Sequence, residues 1–288
     1  MHYNFHKVYI EITNICGLQC SFCPTKDTPY STMNLELYEK ILKQLTPYTK
    51  DIALHVFGDP LTLSNLEKYL DIALKYNLKV HITTTGYYLK NFNLNIFLHK
   101  AIKQINFSLN SYNKNEMKIS LKEYLEPMIQ LSKLKLKNKI NMFINFRLWN
   151  IDDKNSEDKF NKQIFNILSK EFNINLENIN TTKNVRLDNK ILINFDKYFK
   201  WPSLNDTERS HGFCHGLSSQ LAILSSGVVV PCCLDSFGIM NLGNLKDTSL
   251  DNILNSKKSV NIVNNFKQNI ASEELCQKCT FKDRFDKK

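Results

Sequence analysis

Two kinds of apolar spacing alternate along the first two-thirds of the chain and divide it into strand-like and helix-like segments. Val8–Thr13 (VYIEIT) is a β-branched run, after which Leu35, Tyr38, Ile41, Leu42 and Leu45 recur at helical spacing. Ile52–Phe57 (IALHVF) predicts a second strand, followed by the turn-forming Gly58-Asp59-Pro60 and a helix around Asn65–Tyr76. Lys79–Thr85 (KVHITTT) predicts a third strand closed by Gly86, Gln104–Asn110 a fourth and Ile140–Trp149 a fifth. A weakly marked sixth lies near Val185–Leu187. Helical stretches fall near Glu123–Leu136 and Asp158–Glu171. Strands and helices alternating in this way mean βαβ units on a parallel sheet, so the expected fold class is α/β. Six units suit a partial (β/α)6 TIM-like barrel better than a full eight, which typically takes about 250 residues.

The 288 residues leave room for one large domain and a small appendage, expected as residues 1–200 and 201–288. An apolar fraction of 42% and a charged fraction of 23% are those of a globular chain. No run approaches the ~18–20 apolar residues of a membrane span, and the first residues lack the apolar stretch of a signal peptide. A cytoplasmic location without a membrane partner is expected. The formal charge is +10, from 38 Lys and Arg against 28 Asp and Glu. The lysines are spread over the chain and form no basic tract with interleaved aromatics, so nucleic acid is not the expected partner. A positive surface would instead favour an acidic protein partner.

Cysteine placement changes the picture most. With no export signal, eight cysteines argue for metal ligation over a disulfide framework. Cys16, Cys20 and Cys23 lie near the start, Cys214, Cys232, Cys233, Cys276 and Cys279 in the last third, and none falls between Pro24 and Phe213. Ligands of parallel sheets collect beyond the C-terminal strand ends. The first cysteine loop, Gly58-Asp59, Gly86 and Ser108 follow or end successive predicted strands, and so converge there.

Cys16-Gly-Leu-Gln-Cys20-Ser-Phe-Cys23 is the spacing C-x3-C-x2-C. Three thiolates on one short loop can each take one iron of a 4Fe–4S cube, leaving the last iron open to an external ligand. A zinc knuckle would need a fourth ligand, and no histidine lies close in sequence. ICGLQCSFCP resembles the radical S-adenosylmethionine (SAM) superfamily, with Phe22 in the aromatic slot of its motif. Phe57-Gly58-Asp59-Pro60 stands where that family has Gly-Gly-Glu, which implies that Asp59 holds the SAM amino group. Thr83-Thr84-Thr85-Gly86 resembles its Thr-Thr-Asn-Gly, and Ser108-Leu109-Asn110 its Ser-Leu-Asp, a ribose or carboxylate contact. Arg147 matches a position that in related enzymes holds the SAM carboxylate. The chain departs from the pattern at Phe57, at the shorter acid Asp59, and at Asn110, which carries no charge.

In the last third, Cys214 and Cys232 flank a predicted hairpin about Gly227, and Cys276-Gln-Lys-Cys279 completes a four-thiolate set. Ligand count alone allows zinc or an iron–sulfur cluster. The stretch GVVVPCCLD…GNL…SLDNILNS…CQKC resembles the SPASM extension or its single-cluster form, the twitch domain, as in a twitch-bearing amino-sugar dehydrogenase. That resemblance implies one auxiliary 4Fe–4S cluster on Cys214, Cys232, Cys276 and Cys279. Cys233 is surplus. It reads as a small buried residue, as a replacement for Cys232, or as a proton or hydrogen donor. Asp235 is the nearest carboxylate to serve as a base, and His211 and His215 flank Cys214.

The resemblance implies reductive cleavage of SAM to a 5′-deoxyadenosyl radical that abstracts hydrogen from substrate. With an auxiliary cluster it implies a net oxidation, catalysed by a dehydrogenase or a maturase. Flavodoxin or ferredoxin would donate electrons, and a small molecule, sugar or peptide would be the substrate. An RNA-modifying relative and a non-enzymatic iron–sulfur or zinc protein are the alternatives.

Overall fold

A computed structural model describes residues 3–25 and 28–285, so the first and last residues of the two expected segments lie outside it. Strand β1 (Lys7–Ile10) buries Val8 and Ile10 completely on one face and turns Lys7 and Tyr9 to the other. Helix α1 (Leu35–Leu45) is capped by the Asn34 side chain, which accepts from the Leu37 amide at 2.8 Å, and buries the predicted stripe of Tyr38, Ile41, Leu42 and Leu45. Strand β2 (Asp51–Ala53), α2 (Leu66–Lys75) and β3 (Lys79–Thr84) follow. Residues beyond Ala53 in the predicted second strand leave the sheet and form the loop that carries Gly58. The β3-to-β4 connection is built from two short 3₁₀ turns at Leu89–Asn91 and Leu94–Leu98, not a helix. The segment is rich in asparagine, and the Asn93 side chain bonds the Asn95 amide at 3.0 Å, competing with helix formation.

Strand β4 (Ile102–Ser108) leads into the short α3 (Asn110–Asn113) and then α4 (Leu121–Lys137), which opens with a Ser120–Glu123 capping box. Strand β5 (Phe143–Ile151) alternates strictly. Ile144, Phe146 and Leu148 are buried against the helices, while Arg147 and Trp149 face the opposite side. Helix α5 (Asp158–Phe172) then leads into a hairpin of β6 (Val185–Asp188) and β7 (Ile191–Lys197).

The predicted sixth parallel strand is corrected here. Val185–Leu187 belongs to an antiparallel edge strand, and β7 is the one that runs parallel to β5, pairing Ile144 with Ile191. Asn189 and Lys190 reverse the chain, with Lys190 at φ 57°, and Ile191 and Ile193 carry the buried apolar positions.

The last third joins the same sheet. Strand β8 (Gln220–Ile223) pairs in parallel with β1, Val8 opposite Leu221, and β9 (Val228–Val230) and β10 (Gly243–Asn244) add antiparallel neighbours. The order β10-β9-β8-β1-β2-β3-β4-β5-β7-β6 makes one ten-stranded sheet. It is a partial α/β barrel whose parallel strands carry antiparallel edges at both ends. Helices α6 (Leu250–Leu254), α7 (Lys257–Lys267) and α8 (Glu274–Gln277) close the chain. Tyr3 ties them back to the start by donating to the Leu254 carbonyl at 2.8 Å. No helix among the described residues is long and apolar enough to cross a membrane.

Candidate active site

A cavity of about 330 Å³ occupies the inner side of the sheet, and Cys16, Cys20 and Cys23 line it. Their loop follows β1 and is fixed from two sides. Asn115, just past α3, donates Nδ2 to Cys20 Sγ at 3.0 Å and accepts the Gln19 amide at 3.0 Å. A hydrogen bond from Cys23 draws the Cys20 pKa down, Asn115 and Ser111 add to this against the opposing effect of burial, and the value reaches about 6. Gly17 has φ +73°, and a Cβ there would lie 1.9 Å from Tyr88 Oη, so the loop presses directly on that hydroxyl.

Gly58 brings the next loop onto the first backbone to backbone. A Cβ there would lie 2.0 Å from the Thr13 carbonyl oxygen, and the Asp59 amide donates to the Ile15 carbonyl at 2.9 Å. Asp59 is buried and lines the cavity. Its Oδ1 accepts the Leu61 amide at 2.9 Å. Its Oδ2 accepts Thr84 Oγ1 at 2.9 Å, the Thr85 amide at 2.8 Å and Thr85 Oγ1 at 2.7 Å. Burial raises its pKa against these donors. Oδ1 thus fastens the turn at Pro60 and Oδ2 the loop after β3, and the residue also lines the cavity in which the ammonium contact is expected from sequence.

Ser108 and Arg147 are register partners across β4 and β5, and both line the cavity with Asn110, Thr85 and Phe22. The Arg147 guanidinium lies over the Trp149 ring at 4.4 Å, and Trp149 Nε1 donates to Asn194 Oδ1 at 2.7 Å. Burial lowers the Arg147 pKa to about 10, and its Nε is buried without a hydrogen-bond partner.

The second cysteine group reaches the same cavity, which Cys214, Cys232, Cys233, Cys276 and Cys279 all line. Burial raises the pKa of each of the four expected ligands. Charges on neighbouring cysteines add to this at Cys214, Cys232 and Cys276. Lys282 is buried beneath the C-x2-C turn and donates to the carbonyls of Cys276, Gln277 and Cys279 at 3.1, 3.0 and 3.1 Å. Cys233 faces the lumen beside Tyr9, its thiol pushed up to about 11 chiefly by burial. Asp235 Oδ1 accepts the Ile239 amide at 2.9 Å and Oδ2 the Met240 amide at 2.8 Å, which makes it the lock of its own loop. His211 forms a bridge to Ile270, and His215 packs edge-on to Phe213 and Phe285.

Residues 10–154 match the radical SAM superfamily model and residues 214–280 the SPASM iron–sulfur cluster-binding domain. The chain belongs to the radical SAM superfamily. Among solved structures its fold is similar to BtrN in complex with AdoMet and 2-DOIA, at 17% identity and a TM-score of 0.63 over 97% of this chain and 94% of that one. It is similar to anSMEcpe with bound AdoMet at 15% identity and a TM-score of 0.62, over 96% and 84%. SuiB of Streptococcus suis, bound to its precursor peptide SuiA, matches at 14% identity and a TM-score of 0.59, over 100% and 74%. No curated protein matches the chain.

Members of this superfamily with a SPASM domain use 4Fe–4S clusters and SAM, and the donor sets of this radical SAM chain suit them. None of the eight cysteines is in a disulfide. Burial makes the C-terminal set resist ionisation even with Lys282 close by, and bound iron would relieve that cost. Among the described residues no three His, Cys, Asp or Glu side chains converge as a single ion requires. A cube, whose irons each take their own thiolate, does not call for that convergence.

Sequence reasoning missed Asn115, Tyr88 and Lys282, and it missed the polar inner face of the barrel. Lys7, Tyr9, His55, His81 and Asn106 all line the cavity. An aromatic wall covers it. Phe57 packs edge-on to Trp201 at 5.9 Å, and Phe199 contacts both Trp201 and Phe281 at 5.7 and 5.6 Å. Alternation along single strands pointed to those inner positions, but nothing local marked them as neighbours.

Proposed function

We propose that this radical SAM protein catalyses a net two-electron oxidation of a small molecule, sugar or peptide side chain. The observation that carries this reading is that both cysteine groups line one cavity, with the polar barrel lumen between them. When bound, the clusters and SAM supply one-electron chemistry, with hydrogen abstraction at one end of the cavity and an electron acceptor at the other. Cys16, Cys20 and Cys23 hold the first cluster, and Asn115 keeps Cys20 oriented and thiolate-prone. Ser108 and Arg147 receive the SAM carboxylate, with Asn110 at the ribose and Phe22 and Thr85 on the walls. Asp59 positions the Thr84–Gly86 loop. Cys214, Cys232, Cys276 and Cys279 hold the second cluster, fastened from below by Lys282. The aromatic wall keeps water from the lumen. A flavodoxin- or ferredoxin-type protein delivers the electron. Cys233, a buried thiol beside Tyr9, would serve as a proton or hydrogen donor, and Asp235, whose oxygens also accept the Ile239 and Met240 amides, is the nearest carboxylate to serve as a base.

Anaerobic reconstitution should give about eight irons and eight sulfides per chain, two cubes' worth. 5′-Deoxyadenosine should accumulate only with dithionite or reduced flavodoxin and should vanish in Cys20→Ala. Deuterium moving from a labelled substrate into 5′-deoxyadenosine, with the substrate recovered two electrons more oxidised, establishes the oxidation. Turnover that survives Cys20→Ala overturns it.

A further inference from the structure

We propose that the floor of the barrel lumen is a binding site for an oxyanion group of the substrate, a carboxylate or a phosphate, centred on Lys7. This rests on the reading above that the lumen holds the substrate, and adds to it the substrate's chemical class. Lys7 on β1, His55 in the loop after β2, His81 on β3 and Arg147 on β5 face one cavity. Lys7 and Arg147 are both cations. Among the described residues neither has a carboxylate within ion-pair distance.

The carboxylates whose charges act on them, Asp51 on Lys7 and Asp196 on Arg147, are each held by another cation. Asp51 accepts from Lys103 Nζ at 2.6 Å and is bonded to His81 Nε2 at 2.7 Å. Asp196, which influences Arg147, is held by Arg284 at 3.0 and 3.1 Å. The Nδ1 atoms of His55 and His81 are buried without a hydrogen-bond partner. His55 can present a donor there according to its tautomer, whereas the neutral His81 ring spends its N–H on Asp51 through Nε2 and serves to hold that acid away from Lys7.

An unpaired cation removed from water is costly, and an arriving anion relieves that cost while forming charge-assisted hydrogen bonds. Burial and the Arg147 charge both lower the Lys7 pKa, the direction expected of a lysine that lacks its counter-ion. Arg147 is assigned to the SAM carboxylate, which leaves Lys7 and the His55 imidazole edge for the substrate. A cationic amine would meet the unpartnered charge of Lys7, so the lumen floor selects acids over amines.

The test uses anaerobically reconstituted protein with SAM bound and no reductant. Inorganic phosphate, and separately succinate, is titrated by calorimetry at an ionic strength held constant with chloride. Saturable binding of at least one of the two is expected, and which one binds identifies the oxyanion. Lys7→Met should weaken it roughly ten- to a hundredfold and Lys7→Arg should largely retain it. Should Lys7→Met fail to fold, wild-type protein carries the same information, since the bound anion should protect Lys7 from acylation as read by peptide mass spectrometry. Absence of saturable binding by both anions, equal affinity in Lys7→Met, or no protection of Lys7 overturns the proposal. Because no electron is supplied, the outcome does not depend on whether SAM is cleaved.

Discussion

Asp59 and Thr85 meet through a single carboxylate oxygen, which accepts both the amide of Thr85 at 2.8 Å and its hydroxyl at 2.7 Å. The two residues belong to loops that follow different strands, so this pair joins the Gly58 loop to the end of β3 where the cofactor is proposed to lie. Asp59→Ala would leave four donors without their acceptor. At about 1–3 kcal/mol for each buried group left unpaired, a loss of at least about 3 kcal/mol is expected. SAM affinity should fall tenfold or more as the loop loosens. Asp59→Asn, which keeps one acceptor oxygen, should fall between. Thermal melts and calorimetric SAM titrations check this, and an Asp59→Ala protein with wild-type melting and SAM affinity would remove the residue from the site's support.

Lys282 plays the corresponding part at the other end of the cavity. Its ammonium satisfies three carbonyls around Cys276 and Cys279, and its charge lowers the pKa of Cys214 and Cys279 against their burial. Lys282→Met keeps the length of the stem but none of the donors. Iron content should drop from about eight to about four per chain, the complement of a single cube. The remaining signal should be the SAM-responsive one. An unchanged iron count would show that the four thiols hold their geometry unaided.

Helices α1, α2, α4 and α5 and five of the strands were legible because each is written in a local period. Leu35 to Leu45 show a helical stripe, and Ile140–Trp149 covers most of the strictly alternating β5. The motif cysteines were legible because their spacing is itself chemistry. The sixth parallel strand was not, since Val185–Leu187 and Ile191–Lys197 look alike one at a time and only the turn at Asn189 and Lys190 decides which pairs with β5. Lys7, His55, His81 and Arg147 were missed as a group for a different reason. Parallel pairing sets residues far apart in sequence side by side, and their charge balance becomes visible only when the acids near them are found already engaged. Asn115 and Lys282 act through single contacts that carry no sequence signature.

Gly58 tests the contact between the two loops without touching any polar group. An added methyl would meet the Thr13 carbonyl oxygen at 2.0 Å and the Thr13 carbonyl carbon at 2.7 Å, both backbone atoms with no side-chain freedom to yield. Gly58→Ala should therefore push the Asp59 loop off the cysteine loop. Slower or incomplete assembly of the first cluster is expected, along with weaker SAM binding, while the auxiliary iron is retained. The comparison is made by iron analysis before and after mild oxidation, with SAM-induced spectral change as the second readout. Full reconstitution with a normal SAM response would mean that the loops can part without consequence.

Acid sensitivity follows from the two lumen histidines, and its sign can be fixed. Burial lowers the His55 pKa to about 3, helped by the charges of Arg147 and Lys7, and lowers that of His81 to about 4. Unfolded, both rings titrate near 6.5. Between those values the unfolded chain binds more protons than the folded one. The stability contributed by the neutral rings is therefore complete above about pH 6.5 and is lost as pH falls towards the folded values. By pH 5 this amounts to up to about 2 kcal/mol for each ring. Asp59 and Asp235, whose pKa values burial raises, act in the opposite sense, because protonation on acidification relieves a buried charge. The histidine term is isolated by comparing melting temperatures of the wild type and His55→Gln between pH 7.5 and 5. The wild type should lose stability more steeply than the variant, and parallel slopes would show that His55 is not held neutral by its burial.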